Sequence, residues 1–421
     1  MTILLEIYNS VRYVIIKPLT IMKKILFFEK KKEFLFVTLI SLLLISGVFF
    51  TTVAMTPDHK NYRKAWDHQF YIIMANDPFG AHQAPYCYRI FVPWLVSIFP
   101  EDLHPFVFRL QSFLFLSFAT IVLYYLIRKL NYSRTIALGG MLFFASSYYM
   151  VKYTLMDFWL TDSAAIFFIL LLFYIAFCEI NIKNAILAGF IMVIGVMTKE
   201  SVLFVAPLFY TYRATRVWDK KAIMWAATVS LTGIVTFLCL RRFISTTGDY
   251  EDYSTLFNSI GIFHINGFWP SNLEPYLFGS FGVALLVLPV FALVRNLNFT
   301  LKSLPFLILV YTQVLFAVNI ERLVVYAIPV VIICSLNGMI SLCEKYKIHI
   351  AVSLVIPASC YLILILNYPL IFTTYSNVNI IYTVTFIISL MILMSIGELE
   401  SVRHHKIQLY YKRKKSKKEM N

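Results

Sequence analysis

One polar stretch of this chain holds residue types that can do chemistry. It reads Trp66-Asp67-His68-Gln69-Phe70-Tyr71, then Asn76-Asp77-Pro78-Phe79-Gly80, then Pro85-Tyr86-Cys87-Tyr88-Arg89-Ile90-Phe91-Val92-Pro93-Trp94-Leu95. A carboxylate can take up a proton, a guanidinium can hold an anion through two parallel bonds, and aromatic rings can frame both. More ionisable groups sit at the borders of apolar runs: Lys152, Asp157, Asp162, Lys199, Glu200, Arg241, Arg242, Glu321 and Arg322. Charges at or within membrane depth are costly, and they mark functional sites by default.

The elements that must position these groups are membrane helices. Of 421 residues, 60% are hydrophobic and only 14% charged, against about 25% charged in a soluble domain. The net charge of +15 does not point to nucleic acid, because the basic residues gather in short loops and near the two ends, where they set membrane orientation. The six cysteines form no C-x-x-C pair or metal-ligand spacing, so no disulfide framework is expected.

A bilayer core needs about 20 apolar residues per helix. On that rule spans fall near 35–55, 106–127, 135–151, 160–179, 184–198, 201–212, 222–240, 275–294, 303–318, 323–342, 349–367 and 378–395, which is about twelve helices. The fold class expected is all-α and polytopic. Lys199-Glu200 interrupts 184–212, which reads either as two short helices or as one broken one. Lys30-Lys31-Lys32, Arg128-Lys129, Arg134, Arg213, Arg216, Lys220, Lys221 and Lys412-Arg413-Lys414-Lys415 all fall on one side, which the positive-inside rule makes cytoplasmic. The expected organisation is a basic cytoplasmic N-terminus over 1–34, a multispanning domain over 35–395 and a basic cytoplasmic tail over 396–421. No cleavable signal is expected before Met22. The protein is expected in the cell membrane, with both termini cytoplasmic.

Two sizeable loops, near 56–105 and 241–274, then lie on the non-cytoplasmic side. Trp66, Phe70, Ile73 and Met74 recur at helical spacing, which predicts a helix lying in the interface with its apolar stripe toward lipid. Asp77-Pro78-Phe79-Gly80 should end it. A second interfacial segment is expected near 90–98. The outer set of charges includes Asp58, Asp67, Asp77, Arg89, Asp162, Lys199, Glu200, Arg241, Arg242, Glu321 and Arg322, the pattern of a polar cavity opening outward.

Asp67 in its Trp-Asp-x-x-Phe-Tyr setting, Asp77-Pro78-Phe79, and Tyr88-Arg89-Ile90 before Pro93 together resemble the first outer loop of the GT-C superfamily. These are multispanning glycosyltransferases that take sugars from polyprenyl-phosphate donors. Thr161-Asp162-Ser163, Thr198-Lys199-Glu200 before Pro207, and Glu321-Arg322 before Pro329 follow in the order the resemblance implies, over roughly residues 35 to 340. The resemblance implies that an acidic residue of the first outer loop is the catalytic base, a role that falls by motif position on Asp67, with Asp58 as its rival. It implies one inverting displacement on the non-cytoplasmic face, from a polyprenyl-phosphate sugar to a lipid, glycan or protein acceptor. A phosphate leaving group needs no general acid, only cations to stabilise it. Arg322, Arg89, Lys199, Arg241 and Arg242 are the candidates for that, with Asp162, Glu200 and Glu321 as supporting acids. With no large soluble domain expected after the last span, a lipid or growing glycan is favoured over a protein acceptor.

Each residue also has a plainer reading. Asp67 also has a reading as a solvated charge on an interfacial helix, and Asp58 and Asp77 suit a cap and a turn. Arg89 could pair with Asp77 or a lipid headgroup, Asp157 with Lys152, Lys199 with Glu200, and Glu321 with Arg322. His59, His68, His82, His104 and His264 lack zinc spacing. No cofactor is expected, although some family members use a divalent metal. The rival function is a transporter or flippase, which would bury charges at mid-membrane in broken helices and repeat halves. A scaffold or degenerate transferase that only binds the lipid-linked sugar is a third possibility.

Overall fold

A computed structural model describes residues 31–56, 67–247, 280–316, 320–366 and 387–388. Asp58, Trp66, most of the expected 241–274 loop, nearly all of the expected 378–395 span and the two basic ends lie outside the described residues. Among the described residues the chain is helical with no β-strand. Its one extended pairing is an isolated bridge between His82 and Thr246.

Five segments are long and apolar enough to cross a bilayer: Lys31–Phe50, Glu101–Lys129, Lys220–Phe243, Ser280–Thr312 and Glu321–Tyr346. The shortest has 20 residues, which at 1.5 Å per residue spans about 30 Å, the thickness of the hydrocarbon core. Five shorter apolar helical segments accompany them: Arg134–Ala145, Asp162–Ala176, Ile182–Thr198, Glu200–Thr211 and Val352–Leu366. The protein is a helical membrane protein.

The Asp162–Ala176 helix sits at the centre. All fifteen of its residues are buried, as expected of a helix that is apolar all round. It packs against the His104–Lys129 and Ile182–Thr198 helices. By contrast, the Lys31–Phe50 and Lys220–Phe243 helices leave Leu35, Leu39, Leu43, Leu231, Val235 and Leu238 exposed, the lipid-facing surface of a bundle edge. The Ile328–Tyr346 helix approaches the 288–292 turn so closely that a Cβ at Gly338 would overlap the Leu288 carbonyl oxygen. Small residues permit such backbone contacts where no hydrophobic force drives helices together.

Caps fix where helices begin. The side chains of Ser133, Asn181 and Asp219 accept backbone bonds from Ile136, Asn184 and Ala222 at 3.3, 2.9 and 3.3 Å. The expected interruption at Lys199-Glu200 is real. The Ile182–Thr198 helix stops there, Lys199 is extended, and a 3-10 segment continues from Glu200 to Val205.

Two expectations need correction. The expected interval between spans near 275–294 and 303–318 is helical, running Leu293–Thr312 with Arg295 and Lys302 inside it. Long basic side chains can lie along a helix with their heads in water, so two such charges do not end it. The first-loop helix runs His68–Asn76, but its buried face is His68, Tyr71, Met74 and Ala75. Ile73, expected in the same stripe as Met74, is 55% exposed. The helix lies on the bundle and turns its face to protein rather than only to lipid. As expected, it ends at Asp77, where the Gly80 N–H donates to the Asp77 carbonyl at 3.2 Å, and a second short helix follows at Phe91–Ser97.

Candidate functional site

The first loop covers one end of the bundle. That end is formed by the start of the Asp162–Ala176 helix, the end of the Ile182–Thr198 helix, the segment from Ile320 and the end of the Lys220–Phe243 helix. Four contacts tie them together: Arg89 to Glu200, Asp67 to Arg322, Lys199 to Asp162, and the Thr247 N–H to the His82 carbonyl. The opposite end has its own cluster, where Glu33 takes bonds from Tyr124 and Arg134 and stands 3.7 Å from Arg128.

Arg322 is the hub of the covered end. Its Nη2 donates to Asp67 Oδ2 at 2.9 Å, and its Nε stands 3.4 Å from Asp162 Oδ2 without completing a hydrogen bond. Asp162 in turn receives Lys199 Nζ at 2.5 Å and the Tyr326 hydroxyl. The Lys199 and Asp162 side chains are each only 2% exposed. A pair buried this deeply survives because each charge neutralises the other, and losing either partner leaves an uncompensated charge that costs about 3–5 kcal/mol.

Asp67 lies at the exposed edge of the cluster. Its side chain is 26% exposed, the most open of this set. The Tyr86 hydroxyl donates to its Oδ1 at 2.7 Å, and Tyr86 stacks on Phe70 with ring centres 4.4 Å apart. Burial by itself would raise the Asp67 carboxyl; the Arg322 charge and the Tyr86 bond outweigh it and hold the group below its ordinary value. At rest Asp67 is ionised and doubly tethered.

Arg89 faces a different partner. Its Nη2 and Nε grip Glu200 Oε1 and Oε2 at 2.6 and 3.1 Å, and its Nη1 donates to Tyr71 at 3.0 Å. This bidentate fork locks the first loop to the 3-10 segment. Arg241 lies over the rings of Phe237 and Tyr88, at 3.5 and 4.5 Å from their centres, and Arg242 points outward and is exposed. Glu321 is half-buried beside the hub.

The structure therefore brings Asp67, Asp162, Lys199 and Arg322 into one connected cluster and joins Arg89 to Glu200. It leaves Arg241 and Arg242 outside both. The neighbour pairings do not form: Lys199 turns to Asp162 rather than Glu200, Arg322 turns to two aspartates, and Arg89 turns to Glu200 rather than Asp77. Lys152 donates to the Leu364 carbonyl at 2.7 Å instead of pairing with Asp157. Asp157, buried to 2% exposure, has an Oδ1 with no hydrogen-bond partner.

No known protein family and no curated protein matches the chain. The sequence reading gave no single tyrosine a role beyond that of an aromatic frame. Tyr326 carried a signal, since it stands four residues after Arg322 and so shares its helix face. Tyr86 carried none beyond its place beside Arg89.

Asp67 and Asp162 already face Arg322 or Lys199, and among the described residues no three His, Cys, Asp or Glu side chains are placed to hold a metal. No step is assigned to one.

Proposed function

We propose that this protein is a membrane glycosyltransferase that moves a sugar from a polyprenyl-phosphate donor to a lipid, glycan or protein acceptor. In this reading the chain crosses the membrane about twelve times, and the covered end faces the non-cytoplasmic side, opposite the basic loops. One observation carries the proposal: a half-open carboxylate, Asp67, shares a guanidinium, Arg322, that has a hydrogen-bonding direction left over. A base and an anion-binding cation within one bond of each other are what a phosphate-departing displacement needs.

The proposed reaction starts from that geometry. The donor's phosphate is an acceptor for Arg322 and competes with Asp67 for it. As Arg322 turns to the phosphate, Asp67 Oδ2 loses its cation and its affinity for a proton rises. The acceptor hydroxyl then gives its proton to Asp67 while its oxygen bonds to the anomeric carbon. The bond from that carbon to the phosphate oxygen breaks, and its electron pair leaves on the polyprenyl phosphate, beside Arg322. Lys199 keeps Asp162 neutralised throughout. Arg89 and Glu200 hold the loop in place.

A proton-coupled transporter is the second reading, favoured by the fully buried Lys199–Asp162 pair at the break between two helical segments. One experiment separates the two. Protein in nanodiscs is offered a panel of radiolabelled polyprenyl-phosphate sugars with membrane lipid extract as acceptor. The proposal expects label to move from one donor to an acceptor, and to stop moving in Asp67→Asn. No transfer across the panel by folded protein, with substrate-driven proton flux in sealed vesicles, would install the transporter in its place.

A further inference from the structure

Asp157 has no part in the reaction just described, yet it is the least satisfied charge-bearing group near it. Its residue is 2% exposed and its Oδ1 has no hydrogen-bond partner. The turn that carries it cannot swing out to water, because three other bonds pin it. Met55 N–H donates to the Met156 carbonyl at 2.8 Å, the Trp159 indole donates to the Met55 carbonyl at 3.0 Å, and Ser112 donates to the Phe158 carbonyl at 2.9 Å. A carboxylate without a partner in such a place is costly, whereas a protonated carboxyl is tolerated.

Every charged neighbour bears on that choice. On its own segment stand Tyr153, one turn earlier, and Lys152, which is turned away to the Leu364 carbonyl. Asp67 acts on it from the first loop, Asp162 from the helix that follows, and Arg322 from the segment opening at Ile320. The 104–129 helix and the 51–56 segment present Ser112 and Met55 there, and neither titrates. Among the groups that act on Asp157 and their direct ion-pair partners, three carboxyls, Asp67, Asp157 and Asp162, stand against two cations, Arg322 and Lys199. Arg89 and Glu200 cancel each other separately. The charges balance when Asp157 carries a proton. In keeping with this, burial pushes the Asp157 carboxyl up to about 7, against the opposing pull of Arg322.

We propose that Asp157 is a proton-binding carboxyl coupled to the anion site at Arg322, so that an anionic phosphate entering that site brings a proton from solvent onto Asp157. The inference rests on the reading of Arg322 as the phosphate ligand. The incoming charge adds to those of Asp67 and Asp162 and satisfies Arg322, whose field otherwise favours an ionised Asp157. Both changes hold the proton on Asp157 more tightly. By linkage, binding is then strongest where Asp157 is already protonated and weakens as pH rises above neutrality. Asp157 would make donor capture proton-linked without touching the donor.

The test uses full-length protein in nanodiscs and a methyl polyprenyl phosphodiester, a probe with one fixed negative charge and no titration of its own in this range. Affinity is measured by calorimetry from pH 5.5 to 8.5, in buffers of differing ionisation enthalpy so that protons taken up are counted. The expected result is affinity that falls by up to about tenfold per pH unit above neutrality, with proton uptake approaching one per probe, since each proton linked gives a slope of one in log Kd. Asp157→Asn, a neutral isostere, should bind with no such slope and no uptake. Wild-type binding that is flat with pH, or a slope that persists in Asp157→Asn, overturns the inference and leaves Arg322 as the phosphate ligand. No probe binding by folded wild-type protein at any pH overturns the phosphate reading and this inference together. The proton count in wild type decides the matter even if the variant fails to fold.

Discussion

Arg89, within the first loop, and Arg322, beneath it, are both buried arginines, but their partners differ in kind. Arg89 has a partner for Nε, Nη1 and Nη2, and it meets Glu200 in a closed two-bond fork. Arg322 divides itself between Asp67 and Asp162, bonds only the first, and leaves its Nε without a hydrogen bond. A saturated pair is a fastener, since nothing can enter without breaking two charge-assisted bonds at once. A shared, under-bonded guanidinium can exchange one carboxylate for an arriving phosphate at little net cost. Residue type would rank the two arginines alike; bonding separates scaffold from site.

The comparison breaks most readily at its closed side. Glu200→Gln strips Arg89 of its counter-charge while leaving it buried, and is expected to destabilise the protein by about 3–5 kcal/mol, read as a lower midpoint in thermal unfolding of the nanodisc-embedded protein. Transfer per folded molecule should fall far less than in Arg322→Ala, since only the anchoring of the loop is loosened. A stable Glu200→Gln protein that has lost activity would move Arg89 into the site. The open side should behave in reverse. Arg322→Ala leaves Asp162 its Lys199, so its stability loss should be the smaller of the two, while turnover falls by about 10²–10³-fold, the usual consequence of removing one donor to a developing charge. Single-turnover transfer rates would reveal an equal loss in both variants if the two arginines were equivalent.

The smallest effect concerns the tether on Asp67. Tyr86→Phe removes one hydrogen bond from the ionised carboxylate, worth about 1.5–3 kcal/mol, or about one to two pH units. The Asp67 carboxyl is held low in the folded protein, and it works as a base only when ionised, so activity is present above its value and lost as pH falls through it. Releasing the tether raises that value toward the ordinary carboxylate range. The acid limb of the pH–rate profile should therefore move to higher pH. An acid limb that stays fixed would show that the profile reports another group.

Much of this cluster was legible before any coordinates, because membrane-edge charges are rare enough to count. Asp67, Asp162, Lys199 and Arg322 all stood out on that ground, and so did the break at Lys199-Glu200. What the sequence hid was the pairing. Lys199 with Glu200 and Glu321 with Arg322 read as self-neutralising neighbours, yet Glu321 and Arg322 are consecutive on a helix, where side chains point about 100° apart, and Lys199 is extended at the break before Glu200. Lys199 and Glu200 diverge to Asp162 and Arg89, on two different elements. The extent of the helix from Leu293 to Thr312 was hidden too: Arg295 and Lys302 fall in the interval between two expected spans but ride on one continuous helix. The orphaned oxygen of Asp157 could not be foreseen either, since it depends on Lys152 turning to the Leu364 carbonyl, more than two hundred residues away in the chain.

The central claim is that Arg322 leaves Asp67 for the donor's phosphate, and donor binding measured beside transfer tests it most directly. Asp67→Asn should bind the polyprenyl-phosphate sugar more tightly than wild type, because its Arg322 is no longer held by a carboxylate, and should transfer it about 10²–10⁴-fold more slowly. Arg322→Ala should lose the binding itself. Wild-type rates of transfer by Asp67→Asn, or wild-type donor affinity in Arg322→Ala, would contradict the account.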